Sequence, residues 1–469
     1  MKTYQDLIAL QDNESERRKF IISAIEDHKE SEKYKTARDA ELYFDHKNPT
    51  ILNYQKFVYN QFGQKVPDIW APNNKIASDW YSFFVTQGVS YLLGNGVTFG
   101  KNDTKEKLGK EFDKRVQDVT TAAVNGSVAF GFWNKDHIDV FPLTEFVPLY
   151  DEENGALCAG IRFWQVEENR PLRATLYEED GYTDYIKRKS EEDLQFLNTG
   201  KRPYIELVKT SDVDGEEIYG GRNYPSFPVI PMFNRRKVSE LKGNRGTIDA
   251  YDLIISGLVN NVHEGELVYW ILKNCGGMDL LDDAKFVEQL KMTRVAHVDN
   301  DDGQGADAES HAVSVPFEAS AEALDRLKEQ LFKDFMALDV NAITAGATND
   351  QIQAAYEPLN QKTDALEYEV TQFIKGILDV AGIDDEPTYT RSQMSNRKGT
   401  LDMVLSAAQY LPEEYITQKI ITLLGDADKF EDIMAQKIAD EGDRLGWGTD
   451  DPETEEEGAD AKNGGTDDE

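Results

Sequence analysis

The spacing of apolar residues changes at Asn125-Gly126 and changes back near Thr247, and this double switch limits what the chain can fold into. Between the two points, Ser127–Trp133, Ile138–Pro142, Glu145–Tyr150, Cys158–Gln165, Arg173–Glu178 and Gly181–Lys187 alternate as strands do, with turn residues between them. They predict a mostly antiparallel β-rich unit. It runs to about Asn234, where Pro225, Pro228 and Pro231 punctuate its exit.

Outside that block the period is helical. Residues 1–45 are charged and helix-prone, with Ile8, Phe20, Ile21 and Ile25 as a partial stripe, and read as peripheral helices. A helix over Asn73–Leu93 closes at Gly94-Asn95-Gly96, and another covers 104–124. After the β block, Ile248, Tyr251, Ile255, Leu258 and Val262 step by three and four residues, predicting one long helix that continues to Ile271. Thr293–Val298 and His311–Val315 read as two strands around the acidic loop Asp299–Glu309. Leu324, Leu327, Leu331, Phe335 and Leu338 mark a second long helix over Ser320–Leu338 with a densely charged back. The small, uncharged stretch Val340–Asn349 separates it from a third, Asp350–Ala381, that Pro358 should kink. Residues 392–441 read as three shorter helices broken by Pro412 and Gly425-Asp426. The fold class expected is α+β.

At 469 residues the chain exceeds one ordinary core, so more than one structural unit is expected. The formal net charge is −36, a sign that repels phosphate and disfavours ordinary nucleic-acid binding by the chain as a whole. The same sign suits a protein past which DNA must slide, or simply keeps an assembly-prone protein soluble. Residues 440–469 hold 13 acidic and 2 basic side chains and almost nothing apolar, so a disordered acidic tail is expected from 442. Neither a cleavable apolar leader nor a membrane span is read from the sequence.

No constellation points to catalysis or to a cofactor. Cys158 and Cys275 lie in no metal or redox spacing. Gly94-Asn95-Gly96 lacks the spacing of a phosphate loop, and His263-Glu264-Gly265-Glu266 lacks the second histidine of a zinc hydrolase. Asp299-Asn300-Asp301-Asp302-Gly303 puts a glycine where a calcium loop needs its third oxygen ligand. Acidic pairs of the glycosidase kind carry no signal in a chain with 87 carboxylates.

The order of parts resembles the portal proteins of long-tailed bacteriophages. Four pieces carry the resemblance over about residues 40–440: the helix and Gly-rich turn of Asn74–Phe99, the β segment Asn125–Asp151, Pro228–Asn261 with its Asp249-Ala250-Tyr251-Asp252 run, and Asn341–Leu378. Ala345-Gly346-Ala347-Thr348-Asn349 stands where the family more usually has a Ser-Gly-containing start to its last long helix. The resemblance implies a wing over 1–240, a first stem helix over 241–271, a clip over 272–318, a second stem helix over 319–338, a tunnel loop over 339–350, a long kinked helix over 351–391 joining stem to wing, and a helical crown over 392–441.

It further implies that Asn341, Ile343, Thr344, Thr348 and Asn349 face DNA, that Ile248, Tyr251, Ile255, Leu258, Val262, Leu324, Leu327, Leu331 and Phe335 pack the stem, and that Arg294, His297, Asp299, Asp301 and His311 serve the clip. The implied assembly is a homo-oligomeric ring, twelve subunits in the virion, at a capsid vertex, with no enzymatic activity. Its implied partners are terminase, head-completion proteins, scaffold and major capsid protein, and double-stranded DNA passing without sequence specificity. The competing expectations are a soluble hydrolase using a carboxylate pair and a non-viral acidic scaffold.

Overall fold

A computed structural model describes residues 2–11, 13–59, 63–68, 71–101, 103–167, 169–191, 193–197, 200–210, 217–264, 268–273, 307–312, 317–343, 348–392, 401, 404–424, 433–434 and 436. They fall into two compact units, 1–343 with 354–393, and 344–353 with 394–469.

In the first unit the β block forms two antiparallel sheets. Strands β1 (Phe57–Tyr59) and β2 (Lys65–Pro67) make a separate short hairpin, and β3 (Val97–Phe99) pairs far along the chain with Pro387–Tyr389. The larger sheet is a meander of β6 (Phe146–Tyr150), β7 (Leu157–Trp164), β8 (Leu172–Glu178), β9 (Gly181–Lys187) and β10 (Gln195–Phe196). The smaller sheet has β4 (Val128–Asn134) between β5 (His137–Pro142) and the late strand β13 (Val229–Phe233). Between these, β11 (Ile205–Thr210) and β12 (Glu217–Arg222) pair as a further hairpin. The chain changes sheet at Leu143-Thr144-Glu145.

Strand β4 reads as a continuous apolar run because both of its faces are covered. Val128, Phe130 and Phe132 join Phe141, Phe146, Tyr177 and Tyr204 in an aromatic core between the sheets. Ala129 and Trp133 point the other way, into a helical core. That core is built from α3 (Glu32–Phe44), α5 (Trp80–Leu93), α7 (Phe112–Gly126) and the long helix α10 (Asn349–Ala381). Before them come α1 (Tyr4–Ile8) and α2 (Glu14–Glu30); α4 (Pro49–Leu52) and α6 (Thr104–Lys107) are single turns.

The N-terminal helices are not peripheral. Phe20, Ile21, Ala24 and Ile25 of α2 cover the larger sheet through Val147, Ile161 and Phe163, and Arg17 reaches Glu178 of β8 at 2.9 Å. The expected helix over 104–124 is two helices, α6 and α7, with Gly109 at φ +89 between them. The expected helix over Asn73–Leu93 begins only at Trp80. Its turn closes as expected, with Gly96 at φ +76 donating to the Leu93 carbonyl.

Two further long helices are α8 (Arg245–Glu264) and α9 (Phe317–Asp334). The first does not reach Ile271. Val268–Lys273 is strand β14, paired with Asp307–Ala312 as β15, because Gly265 follows the helix and Val-Tyr-Trp-Ile suits a strand. Helix α9 stops at Asp334 rather than Leu338, whereas α10 ends at Ala381 as its periodicity predicts, short of the 391 that the resemblance implied, with Pro358 inside it. The expected strand Thr293–Val298 lies outside the described residues, as does the tail from 442.

Where α10 meets the smaller sheet, each side supplies a glycine for the other's large side chain. A Cβ on Gly131 would stand 2.5 Å from the Phe373 ring, and one on Gly376 would stand 2.7 Å from Ile230. Ile230 and Gly131 are cross-strand partners, and Phe373 and Gly376 lie one turn apart, so the two pairs interlock.

In the second unit, Thr348 caps α10: its hydroxyl accepts from Gln351 N at 3.4 Å, and its own N–H donates to Gln351 Oε1 at 3.1 Å. Helix α11 (Glu413–Leu424) follows Pro412 and buries Ile416 and Ile421. Residues 404–407 are also helical.

Two outcomes are expected. Gly131→Ala should lower stability by about 1–3 kcal/mol through overpacking against Phe373, seen as a lower urea midpoint; an unchanged midpoint would mean that the helix and sheet are not in contact there. His28 is buried in α2 and donates from Nε2 to the Leu143 carbonyl at 2.8 Å, and desolvation lowers its pKa from 6.5. A depressed folded value means that the unfolded chain takes the proton first, so stability is full above pH 6.5 and declines below it. Urea midpoints at pH 7.5 and 5.5 should therefore diverge more for the native chain than for His28→Gln.

Candidate functional site

The segment between α9 and α10 is anchored at its start by four elements. Helix α9 ends in a Schellman turn: Ala337 N–H donates to the Phe332 carbonyl at 2.9 Å, and Met336 N–H to that of Lys333 at 3.1 Å. The left-handed position is filled by Met336 at φ +50, a conformation that favours glycine. Its sulfur lies 3.4 Å from Arg235 Nη1. Gln87 of α5 then grips Leu338 from both sides, accepting from its N–H at 3.0 Å and donating to its carbonyl at 2.9 Å.

The fourth anchor is a buried ion pair. Lys362 Nζ of α10 lies 2.6 Å from Glu240 Oε2 with both side chains about 5% exposed, and it donates also to the Phe335 carbonyl at 3.2 Å. Arg235 Nε approaches the other Glu240 oxygen at 3.5 Å. Gly88 leaves room for the lysine stem: a Cβ there would already touch Cε at 3.5 Å.

Beyond Leu338 the chain makes a 3-10 turn, Val340–Ala342, in which Asp339 accepts from Asn341 N–H at 2.9 Å. Asn341 is exposed and Ile343 half-buried; Thr344 lies outside the described residues. Thr348 and Asn349 are engaged as cap and first residue of α10, so the irregular stretch is shorter than 339–350.

Helices α8 and α9 pack on each other, yet of the nine predicted stem residues only Ile248, Leu331 and Phe335 are buried. Tyr251, Ile255, Leu258, Leu324 and Leu327 are half-buried, and Val262 is 55% exposed. What α8 does bury is a polar row. Asp252, Ser256 and Asn260, one turn apart, take the backbone of residues 78, 76 and 74: Ser78 N to Asp252 at 3.1 Å, Ile76 N to Ser256 at 3.0 Å, and Asn74 N to Asn260 at 2.7 Å.

This explains why α5 begins late. Two residues of extended chain cover about 6.6 Å and four helical residues about 6.0 Å, so alternate N–H groups of 74–78 fall opposite successive turns of α8. Asn48 completes the row by donating to Asp252 at 2.8 Å and Asp249 at 3.0 Å, and burial raises the Asp252 pKa. The apolar reading of α8 missed these residues, although the four-residue spacing of Asp, Ser and Asn was its one visible signal.

Of the predicted clip residues, Arg294, His297, Asp299 and Asp301 lie outside the described residues, and His311 sits in β15 opposite Tyr269. No three His, Cys, Asp or Glu side chains among the described residues converge on a metal-binding geometry. None of the described helices is long and apolar enough to cross a membrane.

Comparison with known proteins assigns the chain to a family. A family model described as phage portal protein, SPP1 Gp6-like, matches residues 23–443, and the chain belongs to that family. It is similar to the portal protein of Bacillus phage SPP1, 24% identical over 68% of this chain and 64% of that one, so it spans a little under two thirds of that relative. It is also similar to the portal protein of Clostridium phage phiCD119, 24% identical over 79% of this chain and 87% of the relative. Among solved structures it is similar to a chain of the neck of a native GTA particle computed with C12 symmetry, at 9% identity and a TM-score of 0.40, covering 73% of this chain and 90% of that one.

Lys362→Met should cost about 3–5 kcal/mol by leaving Glu240 buried beside a single distant guanidinium. Gln87→Ala should cost about 1–3 kcal/mol through the two stranded groups of Leu338. Both are read from urea unfolding, and losses below about 0.5 kcal/mol would show that the start of the segment is not held as described.

Proposed function

We propose that this chain is a structural portal subunit, one of a ring that forms a channel at a single capsid vertex and through which viral DNA is packaged and ejected. The family match over residues 23–443 carries the reading. It also weighs against the hydrolase and the non-viral scaffold. In this reading the protein performs no catalysis. The ring, twelve-fold in the virion, docks terminase and head-completion proteins at the clip and meets scaffold and major capsid protein around the wing.

The half-exposed apolar stripes of α8 and α9 support the assignment of a stem. Tyr251, Ile255, Leu258, Leu324 and Leu327 are incompletely covered in a single chain, as expected where one patch closes on an unlike patch of the next copy. Asn341, Ile343, Thr344, Thr348 and Asn349 are assigned to the tunnel loop. Their small, uncharged groups offer weak hydrogen bonds to phosphates, which permits sliding. Gln87 would fix the point at Leu338 from which the loop departs. Arg294, His297, Asp299, Asp301 and His311 are assigned to the clip.

Negative-stain images of the purified protein should show rings with an axial hole. A monomer of 53.1 kDa at every concentration and salt would overturn the reading. Replacing 341–348 with bulky charged residues should leave capsids assembled but poorly filled, and normal filling would remove the loop from the channel.

A further inference from the structure

In a chain of net charge −36, residues 235–245 carry five cations, Arg235, Arg236, Lys237, Lys242 and Arg245, against one carboxylate. That carboxylate, Glu240, is buried and engaged by Lys362 and Arg235, while Arg245 pairs with Asp39 and Asp249 and Lys242 with Glu32, so the exposed positive charge of the segment that no carboxylate among the described residues pairs is that of Arg236 and Lys237. Beside the segment lies a concavity of about 160 Å³, its wall more apolar than polar, lined by Lys33, Lys237, Val238 and Lys242, with Glu32 as the only acid among the described lining residues and with Thr36, Ser127 and Ser239 as hydroxyl residues.

The concavity is built from strained backbone. Six non-glycine residues among those described have positive φ; Ser127 at +75 and Lys237 at +52 line it, and Arg236 at +64 adjoins it. Such conformations persist where surrounding structure enforces them and gather at ligand sites. Helix α3 opens on the same space with Glu32 and Lys33 in its first turn, bringing the positive end of its dipole to the rim. The carbonyls at the end of α7 are not what the lysines serve, since Glu240 N–H takes that of Val124 and Asn234 N–H that of Ser127. Lys242 is held by Glu32 at 2.9 Å; Lys237 lies over the Phe233 ring at 4.4 Å, within electrostatic reach of Glu369. Glu32, the one acid among the described lining residues, is thus taken by Lys242.

We infer that this concavity is an oxyanion site for a phosphate group, in which Lys33 and Lys237 supply the charge and Thr36 a hydroxyl donor, while Lys242 and Glu32 form its wall. The concavity has room for a phosphate group. It stands apart from the portal reading, since neither the ring nor the channel enters the reasoning.

Calorimetric titration of the full chain at low salt tests it, with inorganic phosphate in one arm and a short DNA duplex in the other. Saturable phosphate binding should weaken about tenfold or more in Lys33→Ala/Lys237→Ala, as loss of charge-assisted hydrogen bonds requires. It should be unchanged in Lys110→Ala/Lys114→Ala, which removes the same charge from exposed positions of the 110–114 segment. Competition of the duplex with phosphate in the native chain, lost in the first variant, identifies the DNA backbone as the source. Phosphate binding without competition supports the site with free phosphate as its ligand. Absence of phosphate binding to the native chain, or equal weakening in both double variants, overturns the inference.

Discussion

The buried pair of Lys362 and Glu240 is the contact on which the rest of the helical unit depends. Its members come from α10 and from the loop between β13 and α8, and the same ammonium reaches the end of α9 through the Phe335 carbonyl. Two charges removed from water gain little net stability even when paired, so the pair's importance lies in position. It brings three elements distant in sequence to one point, and Gly88 faces it, where a Cβ would stand in ordinary contact with the lysine stem. An apolar pair of the same volume would leave the Phe335 carbonyl without its lysine donor.

A second polar device sits a few turns away. The row Asp252, Ser256 and Asn260 binds backbone rather than side chains, so it fixes the path of residues 74–78 whatever their side chains are. That path leads directly into α5, and α5 carries Gln87 to Leu338. The position of α8 is thereby tied to the start of the irregular segment through hydrogen bonds of defined direction. Hydrophobic packing alone would permit sliding here, as burial is non-directional.

The outline of the fold was legible in the spacing of apolar residues. The six strands from Ser127 to Lys187 were found within a residue or two, because turn residues separate them and apolar residues recur along each. The stop at Gly94-Asn95-Gly96 and helix α11 after Pro412 were legible for the same local reason. Helix ends were not. The continuation to Ile271 failed because an apolar run following a helix carries no mark of its period, and the start at Asn73 failed because side chains of α8, some 180 residues away, bind that backbone. At the candidate site, Asn341 and Ile343 could be placed from composition. Gln87, Met336 and Lys362 could not, since a glutamine, a methionine and a lysine on helices are ordinary until their partners are known.

By itself the sequence determined the α+β class, the order of helices and strands, and the four segments that pointed to the portal family. The class and the order follow from local periodicity and turn chemistry, which each segment carries within itself. Only the tertiary structure decided that the β block divides into two sheets around an aromatic core, that α8 buries its polar row and leaves Val262 exposed, and that one buried lysine gathers three elements. These depend on which surfaces meet. Desolvation and close packing act between residues far apart in the chain, where spacing along the sequence carries no information.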